Sequence, residues 1–475
     1  MAWCNRAMGQ ASALAVALAM MAAPIGAQQP VLPAPDRDPL KVDMATDPVV
    51  RLIGTIGLPE TFVDRIHLAV DQHPALTEAR ASRAEAVAAR GEAKAQRFPQ
   101  GEFNVSTFRT LAREFSNDPQ NIIERSRARQ RTDATVTISA PVWDFGATVE
   151  RISAARARVE SAEAGVAATA DDVSLRAIVA WYDVFAYRAL VSVASAYAAS
   201  QTELGAAVEE RIRQGVSAPG DRAEVDSYVA IGASRLANYR RQLANAEARY
   251  TELMGAPPPP MMNGPHRAAW PALDRERAVA AAGETPAVRA AYAAARAADM
   301  DAEAVRSENL PTVIAGVDAG RYGVFETDRD YDVRARLGLR YRLFGGRNFR
   351  ARQASARAVT AEARAARLRI EAERDASIAW SDLEALKVAR DAQERSYGAA
   401  RLSRDVLAER FRVSRGSLIG VLQGEDNFFQ SAAQYILAEV ELEVARYALM
   451  SRMGELLPAL GLNPSPRLDW DKGDR

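Results

Sequence analysis

The side chains that most often carry out chemistry are scarce in this 475-residue chain: one cysteine, Cys4, and three histidines, His67, His73 and His266. A zinc site or a base-activated nucleophile needs several such groups at defined spacing. Nothing near the three histidines has metal-ligand spacing, and His73 precedes Pro74 at an ordinary turn or helix position. No glycine loop for phosphate, zinc-ligand cluster or nucleophile elbow is visible. The 61 Asp and Glu are matched by 61 Lys and Arg. They mix with arginine at helical spacing, the pattern of solvated faces and ion pairs rather than paired acid–base catalysts. A net charge of zero lacks the basic excess of a nucleic-acid binder. The sequence therefore reads as non-enzymatic, with no catalytic residues, cofactor, metal or nucleic-acid partner.

Charge is instead arranged at a period of two. Asp332, Arg334, Arg336, Gly338, Arg340 and Arg342 alternate with Val333, Ala335, Leu337, Leu339, Tyr341 and Leu343. Asp133, Thr135, Thr137 and Ser139 alternate likewise with Ala134, Val136, Ile138, Ala140 and Val142. Such alternation requires one wet and one apolar environment. In a soluble protein the apolar face meets a core; in an outer-membrane barrel it meets lipid and the polar face lines water. Charges facing lipid are costly, so Asp133, Arg334, Arg336, Arg340 and Arg342 are expected in a barrel lumen, as a basic band. The alternative is that these arginines pair with Asp133, Asp318 or Asp332. Four strands cannot close by themselves, and open edges are not tolerated in hydrocarbon, so a membrane barrel here demands oligomerisation.

The elements around these strands are long and occur twice. No proline interrupts residues 142 to 218 or 312 to 457, which permits unusually long helices. A helix over 147–213 spans about 100 Å, roughly three times a hydrocarbon core. Strands are expected at about 101–111, 132–142, 312–322 and 332–343. Helices are expected from Glu60 to Arg97, 147–213, 221–253, up to about Asn309, to about Val413, and onward to near Leu457. Pro74-Ala75 recurs as Pro286-Ala287, Pro99 as Pro311, Glu210-Arg211-Ile212-Arg213 as Glu409-Arg410-Phe411-Arg412, and Met254-Gly255 as Met453-Gly454. This ordered set points to internal duplication. Spacing by seven (Ile152, Val159, Val166, Val173, Ala180, Tyr187; Val229, Leu236, Leu243, Tyr250; Val421, Phe428, Tyr435, Leu442, Leu449) implies left-handed coiled-coil packing.

Arg6, the apolar run Ala11 to Ala23 and the small residues around Ala27 read as a secretory signal peptide. No other segment reads as apolar enough for a transmembrane helix. The expected organisation is a signal peptide at 1–27, an extended arm at 28–59 and a first repeat at 60–262. A linker with the start of the second-repeat helix follows at 263–282, then a second repeat at 283–460 and a tail at 461–475. The fold class is mainly α with a small β part: a long coiled-coil α-helical barrel continuous with a transmembrane β-barrel, four strands per protomer. A periplasmic coiled-coil scaffold without a barrel is the competing class.

In the order of these elements and in local motifs the chain resembles the TolC-like outer-membrane channel-tunnel family. Val142-Trp143-Asp144-Phe145-Gly146 and Leu343-Phe344-Gly345-Gly346 look like its strand-to-helix junctions, and Phe411 to Gln423 like its second hairpin tip. The resemblance implies a homotrimer in outer-membrane lipid, with a twelve-stranded barrel and a twelve-helix periplasmic tunnel. The partners it implies are a periplasmic adaptor and an inner-membrane pump, an ABC exporter or a proton-driven one. It places the periplasmic entrance at two tips: Arg211, Arg213, Gly215 and Asp221 in the first, and Arg410, Phe411, Arg412, Arg415, Gly416, Gly420 and Gln423 in the second. Phe411 falls where the family often has an aromatic gate residue, and Asp221 where it often has an acidic partner for a neighbouring hairpin. Gly420 and Gln423 depart from positions that can be acidic, which puts a cation-binding ring in doubt; Glu425 and Asp426 lie close by. The segments Trp181-Tyr182-Asp183 and Ser417-Leu418-Ile419 look more like exit ducts of type I ABC protein secretion than like drug or metal efflux ducts.

Overall fold

A computed structural model describes residues 32–38, 43–54, 59–115, 119–262, 264–265, 274–327, 330–413 and 415–463. The expected signal peptide, His266, Ser414 and most of the C-terminal tail lie outside the described residues. The first half of the chain contains α1 (Pro48–Ile53) in the arm, then α2 (Pro59–Gln72), α3 (Pro74–Ala95), β1 (Gln100–Arg109), α4 (Ile122–Ser126), β2 (Gln130–Trp143), α5 (Ala147–Arg213) and α6 (Pro219–Met254). The second contains α7 (Arg275–Ala282), α8 (Pro286–Ser307), β3 (Thr312–Arg321), β4 (Tyr331–Arg340), α9 (Arg347–Arg412), α10 (Leu418–Arg452) and α11 (Leu456–Ala459). The duplication is metric: α3 and α8 have 22 residues each, α5 and α9 have 67 and 66, α6 and α10 have 36 and 35.

The single helix expected from Glu60 to Arg97 is two, because Pro74 lacks the N–H a continuous helix would need. His73 is its cap, its Nδ1 accepting from the Ala75 N–H at 3.1 Å. The 28–59 arm is not wholly extended either. Asp47 accepts from the Val49 and Val50 N–H groups at 2.8 and 3.2 Å and starts α1, whose Val49 and Ile53 are buried. β4 ends at Arg340, so Tyr341, Arg342 and Leu343 follow the strand rather than extend it.

The four strands form one antiparallel meander, β1-β2-β3-β4. Its only register irregularity lies between Pro141 and Trp143, where proline's missing donor is tolerated. Each strand pair feeds its long helix through a sharp bend. Phe145 and Gly146 have φ of 54° and 90°, and Gly345 and Gly346 have 108° and 75°. Such left-handed pairs favour glycine. Asp144 then caps α5, accepting from the Gly146 and Thr148 N–H groups at 3.1 and 2.8 Å.

The core lies where α5 meets its neighbours. Trp181 and Tyr182 are buried against Phe62, Tyr250 and Tyr447, with the Phe62 and Trp181 rings edge to face at 5.3 Å. All five heptad positions of α10, Val421, Phe428, Tyr435, Leu442 and Leu449, are buried. On α5, Val159, Val166, Val173 and Ala180 are buried too, while Ile152 and Tyr187 at the two ends of the stripe are half-buried. Contrary to expectation, one 18-residue window of α5 is apolar enough, at mean hydropathy 1.4, to pass as a membrane span. Of that window 67% is buried within the protein, so its apolar character is spent on helix packing.

Candidate functional site

The registers sort the sheet into two faces. Phe103 faces Val136, Ile138 faces Val317, and Ala315 faces Leu337 on one; Asp318 faces Arg334 on the other, which also carries Asp133, Asp332, Arg336 and Arg340. The apolar face is open: Phe103, Val105, Val333, Leu337 and Leu339 are each more than half exposed. Three of the polar-face charges expected to line the lumen are paired. Arg336 meets Asp318 at 3.2 Å, Arg334 meets its own strand's Asp332, and Asp133 meets Arg131 at 2.8 Å while accepting from the Gly323 N–H. Arg340 stands opposite Thr312 at the helix-proximal end. Arg342 lies beyond the strand, and its carbonyl accepts from Arg347.

At the other end of the long helices, two hairpin tips come together. In the first, Gly215 (φ 73°) turns the chain and the Val216 N–H donates to the Arg211 carbonyl at 2.9 Å. In the second, the Arg415 N–H donates to the Arg410 carbonyl at 2.8 Å, and Ser417 starts α10 by accepting from the Gly420 N–H at 3.2 Å. Gly416 is required here, since a Cβ would stand 2.9 Å from the Phe411 nitrogen. Val208 and Val225 of the first hairpin pack on Leu418 and Leu422 of the second, with Phe411 against them. The Arg211 guanidinium lies 4.8 Å from the Phe411 ring centroid, a cation–π contact between the tips.

Other tip residues have local partners. Arg213 pairs with Glu210, and Arg412 with Glu409 at 2.6 Å. Asp221, at the start of α6, accepts from the Ala218 N–H at 3.1 Å. Gln423 is exposed and Gly420 half-buried. Neither nearby acid offers an open carboxylate. Glu425 is buried with Arg404 at 3.4 Å, and Asp426 binds Arg235 and the Tyr197 hydroxyl.

A buried polar chain escaped the sequence reading. Asp47 of the arm accepts from the Tyr397 hydroxyl at 2.8 Å and pairs with Arg401. One turn on, Arg404 donates to the Pro33 carbonyl at 2.9 Å, contacts Asp405 at 2.7 Å and lies 4.3 Å from the Phe428 ring centroid. Burial pushes the Asp405 and Glu425 carboxyls up, and the Arg404 guanidinium opposes that rise. The only local hint was the pair Arg401 and Arg404 on a face that the heptads of α10 cover.

The chain thus combines a two-faced sheet with open edges, two helices of about 100 Å each and a pinched double tip. Comparisons agree. Residues 65–256 match the family described as outer membrane efflux protein. Outer membrane efflux protein BepC of Brucella suis biovar 1 (strain 1330) is 24% identical over 421 residues, 85% of this chain and 88% of the relative. Protein CyaE of Bordetella pertussis is 25% identical over 337 residues, 68% and 70% of the two chains. The outer-membrane channel OprN superposes with a TM-score of 0.74 at 19% identity, over 83% of this chain and 90% of that one. The chain thus has the fold of TolC-like outer-membrane channel-tunnels and matches the outer membrane efflux protein family over residues 65–256: a channel rather than an enzyme, set in the outer membrane with its helical tunnel in the periplasm.

Proposed function

We propose that three copies form a passive exit duct for type I protein secretion, joined through a periplasmic adaptor to an ABC exporter that supplies the energy. The observation that carries assembly is the four-stranded meander, whose outer strands β1 and β4 each have a strand partner on one side only. Three such sheets supply an even-numbered barrel of twelve strands, within the range of closed membrane barrels. Phe349, Val359, Ile370, Ile378 and Val388 of α9 support this reading, each more than half exposed in the single chain. At 100° per residue they fall within about 100° of arc, a stripe suited to a neighbouring protomer. In this reading Asp133, Arg334, Arg336 and Arg340 line the lumen, Arg342 stands at its helix-proximal mouth, and the two tips form the gate. The Arg211–Phe411 contact holds that gate shut.

The cargo assignment rests on resemblance at Trp181-Tyr182-Asp183 and Ser417-Leu418-Ile419. These residues act through packing: Trp181, Tyr182 and Leu418 are buried, so they mark a branch of the family rather than touch a cargo. Drug or metal efflux with a proton-driven pump is the second reading, favoured by the names of the matched family and of BepC. Deleting the gene separates them. Loss of one secreted protein with unchanged drug and metal susceptibility is expected; lost resistance with an unchanged secretome would replace secretion with efflux.

A further inference from the structure

The apolar face of the sheet carries two charged residues, Arg109 and Arg321, and every other charged strand residue, from Glu102 to Arg340, lies on the opposite face. Both arginines stand at the last position of their strand, at the end remote from the long helices. With the helices in the periplasm, that end is the outer rim. The helix-proximal end of the same face, at Gly101, Val313 and Leu339, bears no charge. Both arginines are exposed, and no described residue pairs with either.

Cations at one edge of a lipid-facing band reach the headgroup zone by extending their heads past the apolar layer. Besides Glu114 and Asp330, the described part of this rim carries the carboxylate of Glu326. It is held at Thr132, accepting from its N–H at 3.1 Å and its hydroxyl at 3.2 Å. Exposed Arg129 stands beside the end of β1, its carbonyl accepting from the Thr110 N–H at 2.7 Å. Among the described residues of this rim, Arg109, Arg113, Arg127, Arg129 and Arg321 stand against Glu114, Glu326 and Asp330; the rim does not lack cations. It is also apolar above the strands: Leu111, Ile122, Ile123 and Phe325 are 96%, 63%, 74% and 84% exposed. Guanidinium groups match phosphate in a fork geometry, and apolar side chains next to them match acyl chains. Free phosphate would use only the first of these features.

We propose that Arg109 and Arg321 bind the phosphate groups of an anionic glycolipid in the outer leaflet, while the loop apolar residues rest on its acyl chains. The site depends on the lipid-facing assignment of the sheet and not on the cargo. The test uses the full chain in phosphatidylethanolamine vesicles doped with bisphosphorylated lipid A, measuring the lipid A that stays with the protein after detergent extraction. Retention should fall about fivefold for each arginine removed in Arg109→Gln/Arg321→Gln. Arg109→Lys/Arg321→Lys should keep most of it, and Arg340→Gln on the other face all of it. Dephosphorylated lipid A should be retained poorly, and inorganic phosphate should not compete. Equal retention by wild type and the double Gln variant, equal retention of the dephosphorylated lipid, or displacement by inorganic phosphate would each overturn the proposal. Unchanged conductance of the double variant in planar bilayers separates lost lipid binding from a barrel that never formed. Arg321→Gln alone serves where the double variant does not assemble.

Discussion

At Phe411 the tip contact is small enough to break and central enough to matter. A cation–π contact of this partly exposed kind is worth about 0.5–1 kcal/mol, so Arg211→Ala should raise the open probability of the entrance about two- to fivefold. Single-channel recording checks this, and Arg211→Lys should restore part of the closed population. In the sheet, Arg334 and Arg336 are neutralised by Asp332 and Asp318, leaving Arg340 and Arg342 to set the field of a lumen. Arg340→Gln/Arg342→Gln should therefore move the reversal potential in a salt gradient toward greater cation selectivity. No shift would place them away from the conduction path. The charge alternation was legible in the sequence because strand period is local. Its pairing was not, because Arg336 and Asp318 meet only through the β3–β4 register.

Among the elements, α5 is the spine, and its joint with the end of α10 contains a titratable contact. Burial pushes Asp171 up to about 6 from 3.8, although the Ser451 hydroxyl donates to it. The folded state thus holds this proton more tightly than the unfolded chain. Stability from this group is full below about pH 4 and is lost as pH rises through about 6. Asp171→Asn should melt above wild type at neutral pH and match it near pH 4, as followed by far-UV circular dichroism. At the second hairpin, Gly416→Ala would bring a Cβ to within 2.9 Å of the Phe411 nitrogen. The resulting strain, about 1–3 kcal/mol, should loosen the tip and increase open-channel noise without changing helix content. Helix ends and the 147–213 span were legible in advance, since proline and glycine punctuate them. The break at Pro74 and the helical turn within the arm needed the caps of His73 and Asp47 to be seen.

At the scale of the whole molecule, closure is what the single chain lacks. Leu337→Pro on the edge strand β4 removes a backbone donor and should abolish the heat-sensitive, detergent-resistant oligomer expected of wild type on gels. An unchanged oligomer would mean that β4 does not form the seam. The duplicated layout makes this a property of both repeats, because each contributes two strands and one pair of long helices. Assembly and tunnel length are therefore set together.

The sequence by itself determined the layout of the machine: a period of two made wet and dry strand faces, and proline-free runs made two long helices. These are short-range signals, readable within a few residues of where they act. Tertiary structure decided which charges stay open, that Trp181 and Tyr182 are core, and that the arm locks onto α9. The reason is distance along the chain. Asp47 and Arg401 are 354 residues apart, and a contact of that kind leaves no periodic trace. It forms only because the coiled coils bring the arm's landing face to a fixed place, and burial there makes an unpaired charge too costly to tolerate.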